Sequence, residues 1–519
     1  MQRSARSALA VATLACCLAL VWLPGGRAAG LDVTRHTGRH AAPERQASPV
    51  SEPPPLEWFF EATSRDGREA DAALARIAER WDAGYAAMII DMARLMRPAR
   101  FDDETDAGLA GLGADPDDGA PQPGAGLPAA RRVDPSTLIR SRLLRFLSRQ
   151  TGQRFGDDLS RWRTWLWQQP YAPHPDYAEF KGTLYAQLDP RFAAFFPPGV
   201  ASAIRLDEID WGGVGVNGIP PLVDPVTLAA DEARYLRDNH VVFGIVVEGD
   251  ARAYPKRILA WHELALDRVG GIDLAIVYCT LCGTVIPYER LAGGVVRTLG
   301  TSGLLYRSNK LMFDEETGSL WATLDGTPVV GPLVGSGLRL TPRPVVTTTW
   351  GEWRRTHPTT RVLSLETGHR RDYAEGAAYR DYFATDRLMF GVPQRDDRLR
   401  NKAEVLVVRS DAFRAKPVAV SIDRLRREPV LHVEVAGERF VVLTSCDGAN
   451  RVYEAGDVRF TRHTDAARVA DTQGRAWHAG EDELRLADDG PAQALARVPA
   501  HRVFWFAWFA QYPDTDLIR

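Results

Sequence analysis

The stretch Leu274-Ala275-Ile276-Val277-Tyr278-Cys279-Thr280-Leu281-Cys282-Gly283-Thr284 sets both the fold class and the chemistry to look for. Its first five residues form an apolar run of strand length, with β-branched and aromatic side chains. Two cysteines three positions apart and a glycine close it. Val241-Val242-Phe243-Gly244-Ile245-Val246-Val247 is a second buried-strand run. After about residue 203, glycine and proline punctuate the intervals, the pattern of many short strands joined by turns. Five cysteines occur in the whole chain. Sulfur at Cys-x-x-Cys spacing can clamp a metal, close a small disulfide or exchange electrons.

Upstream the period changes. Leu74, Ile77, Trp81, Tyr85, Met88, Met92 and Leu95 step by three or four and draw one apolar helical stripe. Asp134-Pro135 reads as an N-cap and first-turn proline, with Leu138, Leu143, Leu144 and Leu147 as the buried face and Gly152 as the stop. Between these blocks, residues 101–128 hold six glycines, four prolines and seven acidic residues, which leaves little to bury. The stretch from Phe146 to Gly156, with Trp162 and Trp165, resembles one unit of HEAT-type helical repeats, where it implies packing or docking. The Trp and Phe cluster from Trp162 to Phe196 reads as core.

The β region reads as written twice. Thr349-Trp350-Gly351-Glu352-Trp353 recurs as Phe504-Trp505-Phe506-Ala507-Trp508, offset by 155, and the same offset carries Thr360 onto Thr515. Trp321 returns as Trp477, and Cys282 through Tyr288-Glu289 is echoed by Cys446 through Tyr453-Glu454. Only the first copy holds Trp261-His262-Glu263 and both cysteines. The expected fold class is therefore α+β. A helical region, 56–200, interrupted by a disordered linker, 101–130, precedes two related β units, 203–400 and 401–519, the second degenerate.

Arg3, Arg6 and the uncharged run Ala8 to Leu23, followed by Pro24-Gly25-Gly26-Arg27-Ala28, read as a secretory leader, 1–28, cleaved after Ala28. A polar segment, 29–55, follows. The expectation is an exported, periplasmic or secreted protein with no spanning segment beyond the leader. Lipoprotein anchoring through Cys16 is the weaker alternative. Cleavage leaves Cys279, Cys282 and Cys446, too few for a disulfide-dense scaffold. A net charge of −3 gives no electrostatic argument for nucleic acid or an anionic membrane. The expected partner is a small molecule or a protein.

The first β unit resembles the family catalogued as domain of unknown function 3179. The resemblance rests on Gly218-Ile219-Pro220-Pro221, Ala253-Tyr254-Pro255, Ile258-Leu259-Ala260-Trp261-His262-Glu263 and Tyr278-Cys279-Thr280-Leu281-Cys282-Gly283-Thr284. It continues through Ser302-Gly303-Leu304-Leu305-Tyr306, Asn309, Asp314, Ser319-Leu320-Trp321 and Thr349-Trp350, from about Ile204 to about Phe390, with a diverged echo to the C-terminus. Thr280 replaces the usual proline between the cysteines, and His369 a usual aromatic. The resemblance implies a shared fold and cysteine–histidine patch, and no established reaction.

Three readings of the patch stay open. In the first, Cys279 and Cys282 bind copper or zinc with His262 as third ligand, and Glu263 or Cys446 as further candidates. In the second, the pair works in thiol–disulfide exchange or as a metallochaperone. The residues after Cys282 are not a helix start, unlike those of thioredoxins. In the third, the pair is a structural disulfide in a binding or scaffold module, where Trp350/Trp353 and Trp505/Trp508 serve as core anchors or line a carbohydrate or peptide groove. Arg307, Asn309, Lys310 and Asp314 are further polar candidates, with turn capping the plain role for Asp314. His240, His357 and His463 stand isolated. The sequence carries no nucleophile elbow, phosphate loop, His-Glu-x-x-His or Rossmann fingerprint, so enzyme status stays open.

Overall fold

The computed structural model describes residues 52–96, 134–463, 467–487 and 493–519. The leader, Cys16, Cys17, nearly all of 29–55 and the 101–130 linker lie outside the described residues. Residues 52–519 belong to one unit.

The chain is α+β, with helices first and sheets after. The Pro135–Thr151 helix starts and stops where its capping chemistry dictates. The Asp134 carboxylate accepts from Ser136 N, and Gly152 closes the helix at φ 73°. Its buried face is Ile139, Leu143, Leu144, Phe146 and Leu147, whereas Leu138, expected inside, is exposed. The upstream stripe is not one helix. Gly67–Glu79 and Ala86–Leu95 are separated by a turn at Asp82, whose side chain accepts from Gly84 N. This helical layer has no private core: Phe195, Phe196 and Tyr185 share a cluster with Leu304, Leu311, Phe313 and Leu320 of the β region. No helix among the described residues is long and apolar enough to cross a membrane.

Two sheets of the β region have one connectivity. In the first, Val346–Thr349, Val241–Val247, Asp250–Pro255 and Arg361–Leu363 lie in that order, joined antiparallel, antiparallel and parallel. In the second, Ala500–Phe504, Glu404–Val408, Val418–Ser421 and Asp516–Ile518 repeat the order and the senses. Short helices follow at matching places, Lys256–His262 with Ile422–Arg427, and Trp350–Thr356 with Trp505–Gln511.

The buried tryptophans are satisfied alike. Trp353 Nε1 donates to Thr360 Oγ1 at 2.9 Å, and Trp508 Nε1 to Thr515 Oγ1 at 3.0 Å. Trp321 and Trp477 donate to the carboxylates of Asp314 and Asp471, at 2.7 and 3.0 Å. A buried indole N–H without an acceptor costs the full desolvation of the donor. Thr360→Val is therefore expected to lower stability by about 1–3 kcal/mol in denaturant titration, and Thr515→Val by a similar amount.

Candidate functional site: a buried disulfide hairpin

Strands Ile272–Cys279 and Thr284–Glu289 pair antiparallel, with Cys279 opposite Thr284. The four intervening residues turn through Cys282 N donating to Cys279 O at 3.2 Å and Gly283 N to Thr280 O at 3.3 Å. Cys279 and Cys282 are joined as a disulfide, with Cα atoms 5.3 Å apart. Both are sealed from solvent, at 1% and 0% exposure. Gly283 is required here: its φ is +61°, and a Cβ would sit 2.6 Å from the Phe504 ring. Phe504 N donates to Cys282 O at 2.8 Å, and Tyr382 Oη to Leu281 O at 2.7 Å. Tyr382 and, from the C-terminal part of the β region, Phe504 thus form a wall over the hairpin.

A second hairpin meets the sulfurs from the other side. Asn309 Oδ1 lies 3.0 Å from Cys282 Sγ, and Ser308 O lies 3.7 Å away. The Asn309 amide is held by donating to Arg307 O (3.1 Å) and Ala507 O (3.4 Å). Arg307 and Ser308, the two residues of this turn, both have positive φ, 49° and 64°. Asn-Gly or Gly-Gly is the low-cost choice for such a turn. Each non-glycine residue here costs about 1–2 kcal/mol. The Arg307 guanidinium is tied to Glu208 at 2.5 Å and to Ala510 O at 2.8 Å. Backbone strain of this kind gathers at working sites.

Beside the hairpin tip lies a cavity of about 30 Å³, lined by Glu263, Leu281, Thr301, Lys310 and Tyr379 among others. That is room for about one water. Glu263 caps the Lys256–His262 helix in the left-handed region, φ 55°, a place usually given to glycine. Lys310 is buried. Its Nζ donates to Glu263 O at 2.5 Å and to Tyr278 O at 3.2 Å, and lies 3.8 Å from Glu263 Oε2. Burial lowers the Lys310 pKa to about 8, against the pull of Glu263. Tyr379 Oη donates to Glu263 Oε1 at 3.4 Å, and burial raises that phenol well above its ordinary range. The hydroxyls of Tyr278 and Thr280, flanking Cys279, are buried without a hydrogen-bond partner among the described residues.

His262 is not at the sulfurs. Its Nδ1–H donates to Pro220 O at 2.8 Å, and Nε2 accepts from Tyr373 Oη at 2.6 Å. Tyr373 Oη is in turn 2.6 Å from Thr367 Oγ1. The strand pairing explains this placement. Leu264 pairs with Val277, so the chain reaches the hairpin as Glu263, whose carbonyl accepts Tyr278 N at 2.9 Å. His262, one residue earlier, still belongs to the helix. Cys446 is a free, exposed thiol in a separate groove. The expected set Cys279, Cys282 and His262, with Glu263 or Cys446, is therefore not assembled in this structure. Among the described residues no group of three or more His, Cys, Asp or Glu side chains could hold a metal ion.

Asp314 does cap its turn, accepting from Thr317 N at 2.8 Å, and also holds Trp321. Trp350, Trp353, Trp505 and Trp508 are buried, so they line no exposed groove. Sequence reasoning missed Tyr379, Tyr382, Phe504, Ala507 and His501. His501 is buried, with Nδ1 2.8 Å from Thr284 Oγ1. Phe504 and Ala507 stand inside the recurring Trp-x-x-Trp motif, which marks a repeat and not a contact with the cysteines; no local pattern marks the other three.

An α+β chain carrying a buried Cys-x-x-Cys hairpin disulfide is the class that fold and site define. The family described as protein of unknown function (DUF3179) matches residues 216–515, more than half of the chain, and the chain belongs to it. The match runs on past Phe390 through the stretch read as a diverged echo. It does not reach residues 146–165, and no finding supports a HEAT-type unit there. Comparison with curated proteins and with solved structures gives no match.

Proposed function

We propose that Cys279–Cys282 is a working thiol–disulfide pair rather than a staple. The carrying observation is where the bridge closes. It spans a four-residue turn whose ends are already fixed by the pairing of Cys279 with Thr284. Loop-closure entropy for so short a loop is about 2 kcal/mol at most, and the strand ladder has already fixed much of it. Asn309, Lys310 and Glu263 around the pair are costly to bury and add nothing a staple needs.

In exchange, a small thiol attacks one sulfur, the Cys279–Cys282 bond breaks, and the departing cysteine takes up a proton. A second thiol then releases the first as a disulfide, leaving two cysteine thiols. Asn309 Oδ1 stands ready to accept the Cys282 S–H hydrogen. Access requires Leu281 and Gly283 to lift from Tyr382 and Phe504. An oxidised pair is in keeping with the exported location read from residues 1–28. The second β unit, on this reading, is a diverged copy that supplies Phe504 to the wall.

The test is equilibration of the purified chain in thiol–disulfide buffers, with thiol counting and elemental analysis. A reduction potential between about −270 and −120 mV is expected, the range of exchange proteins. A value below about −300 mV, typical of structural disulfides, would overturn the proposal. About one copper or zinc per reduced chain, lost in Cys279→Ser and Cys282→Ser, would replace it with a metal centre. His262 would then have to leave Pro220 and Tyr373 to become a ligand.

A further inference from the structure

A groove of about 660 Å³ opens on the C-terminal half, away from the disulfide hairpin. This is the size of a small-molecule site. Arg427, the last residue of the Ile422–Arg427 helix, and Arg462, on the Phe460–His463 strand, both line it. Neither guanidinium has an ion-pair or hydrogen-bond partner among the described residues. The other charges are already matched. Glu428 is paired with Arg424, Asp447 with Arg355 at 2.8 Å, and Arg426 with Asp423 at 3.3 Å. Two positive charges from separate elements thus line one concavity in which both described carboxylates, Glu428 and Asp447, are already engaged by other arginines. That arrangement is repulsive until an anion enters.

The wall adds directional donors. Ser445 Oγ accepts from Ala449 N at 2.9 Å, which leaves its own hydrogen to donate. Thr444 Oγ1 likewise accepts from Asn450 at 3.1 Å. Cys446 lies between Ser445 and Asp447 on the same wall, exposed. Pro429 and Val430 give an apolar floor.

We propose that this groove is a binding site for a small organic dianion, held by Arg427 and Arg462 with hydroxyl donors from Thr444 and Ser445. It is independent of the disulfide chemistry proposed above. Cys446 makes the site readable.

The experiment uses the full chain with its disulfide intact. Cys446 is modified in parallel with dianionic dithiobis(nitrobenzoate) and neutral dithiodipyridine. Reaction of the Cys446→Ser chain is subtracted to remove Cys16 and Cys17. Electrostatic focusing is worth at least about tenfold in rate. The anionic-to-neutral rate ratio should therefore fall about tenfold in Arg427→Ala/Arg462→Ala. It should stay unchanged in Arg68→Ala/Arg149→Ala, which removes the same charge from a remote exposed face. Millimolar succinate or inorganic phosphate should slow both reagents. Protection by succinate alone assigns carboxylate ligands, and protection by phosphate alone assigns phosphorylated ones. An unchanged ratio in the groove variant, with no protection by either anion, overturns the proposal.

Discussion

Acidification from pH 7 to pH 4.5 is expected to lower the melting temperature by roughly 10 °C, through two histidines the fold keeps neutral. Burial lowers the His262 pKa to about 4, and the nearby charges of His369 and Arg371 push the same way. Burial lowers His501 further, to about 3, with Arg409 adding to the effect. The unfolded chain takes up these protons below about pH 6.5, and the folded chain does not. Stability is therefore intact above about pH 6.5. It falls as the pH drops, down to about 4 for His262 and about 3 for His501. At pH 4.5 each site has cost about 3 kcal/mol, from two pH units at 1.36 kcal/mol each. Together that is about 6 kcal/mol, comparable with the low end of ordinary domain stability. Thermal melts of wild type and His501→Gln between pH 7 and 4.5 check this. The variant should lose about 3 kcal/mol less than wild type over this interval, and equal slopes would remove His501 from the account.

The two histidines show what the sequence could and could not deliver. His262 stood out because it precedes the cysteine pair by less than two dozen residues and belongs to a family motif. Chain proximity suggested a ligand. The helix-to-strand junction at Glu263 instead delivers the glutamate to the hairpin and turns the imidazole toward Pro220 and Tyr373. His501 carried no signal, since its contact with Thr284 spans 217 residues.

The same division holds elsewhere. The strand Val241–Val247 was legible residue for residue because a doubly buried strand is written as an unbroken apolar run. The caps of the Pro135–Thr151 helix were legible because capping is local chemistry. The wall over the disulfide was not. Phe504 and Ala507 reach it only because the C-terminal half packs across the first hairpin. Tyr379 caps and Tyr382 sits in the Arg380–Ala384 helix, which at five residues is too short to write a period. Asn309 and Lys310 read from the sequence only as polar candidates between Tyr306 and Trp321, and the turn at Arg307-Ser308 shows why one faces sulfur and the other a carboxylate.

Lys310→Met is expected to cost about 3–5 kcal/mol at pH 7, the usual penalty for breaking a buried ion pair from one side. Methionine fills the space but leaves the Glu263 carboxylate without its cation and removes the donor to Glu263 O and Tyr278 O. Wild type carries a penalty of its own. With its pKa lowered to about 8, Lys310 holds its proton less tightly in the fold than in the unfolded chain, where about 10.4 is ordinary. The unfolded state binds more protons between those values, so the Lys310 contribution to wild-type stability, read as the difference from Lys310→Met so that the buried tyrosines cancel, should rise by about 2–3 kcal/mol from pH 8 to pH 10.4 as the penalty is relieved. Lys310→Met should lack that rise. Adding Glu263→Gln removes the stranded charge, and coupling between touching residues predicts recovery of about 1–3 kcal/mol. The double variant then separates two roles that the structure superimposes. If the pair only holds the hairpin, a refolded Lys310→Met/Glu263→Gln chain should be reduced and reoxidised by small thiols at the wild-type rate. If Lys310 and Glu263 move the proton that leaves with Cys282, the chain should stay folded while the exchange rate falls and loses its pH dependence near 8.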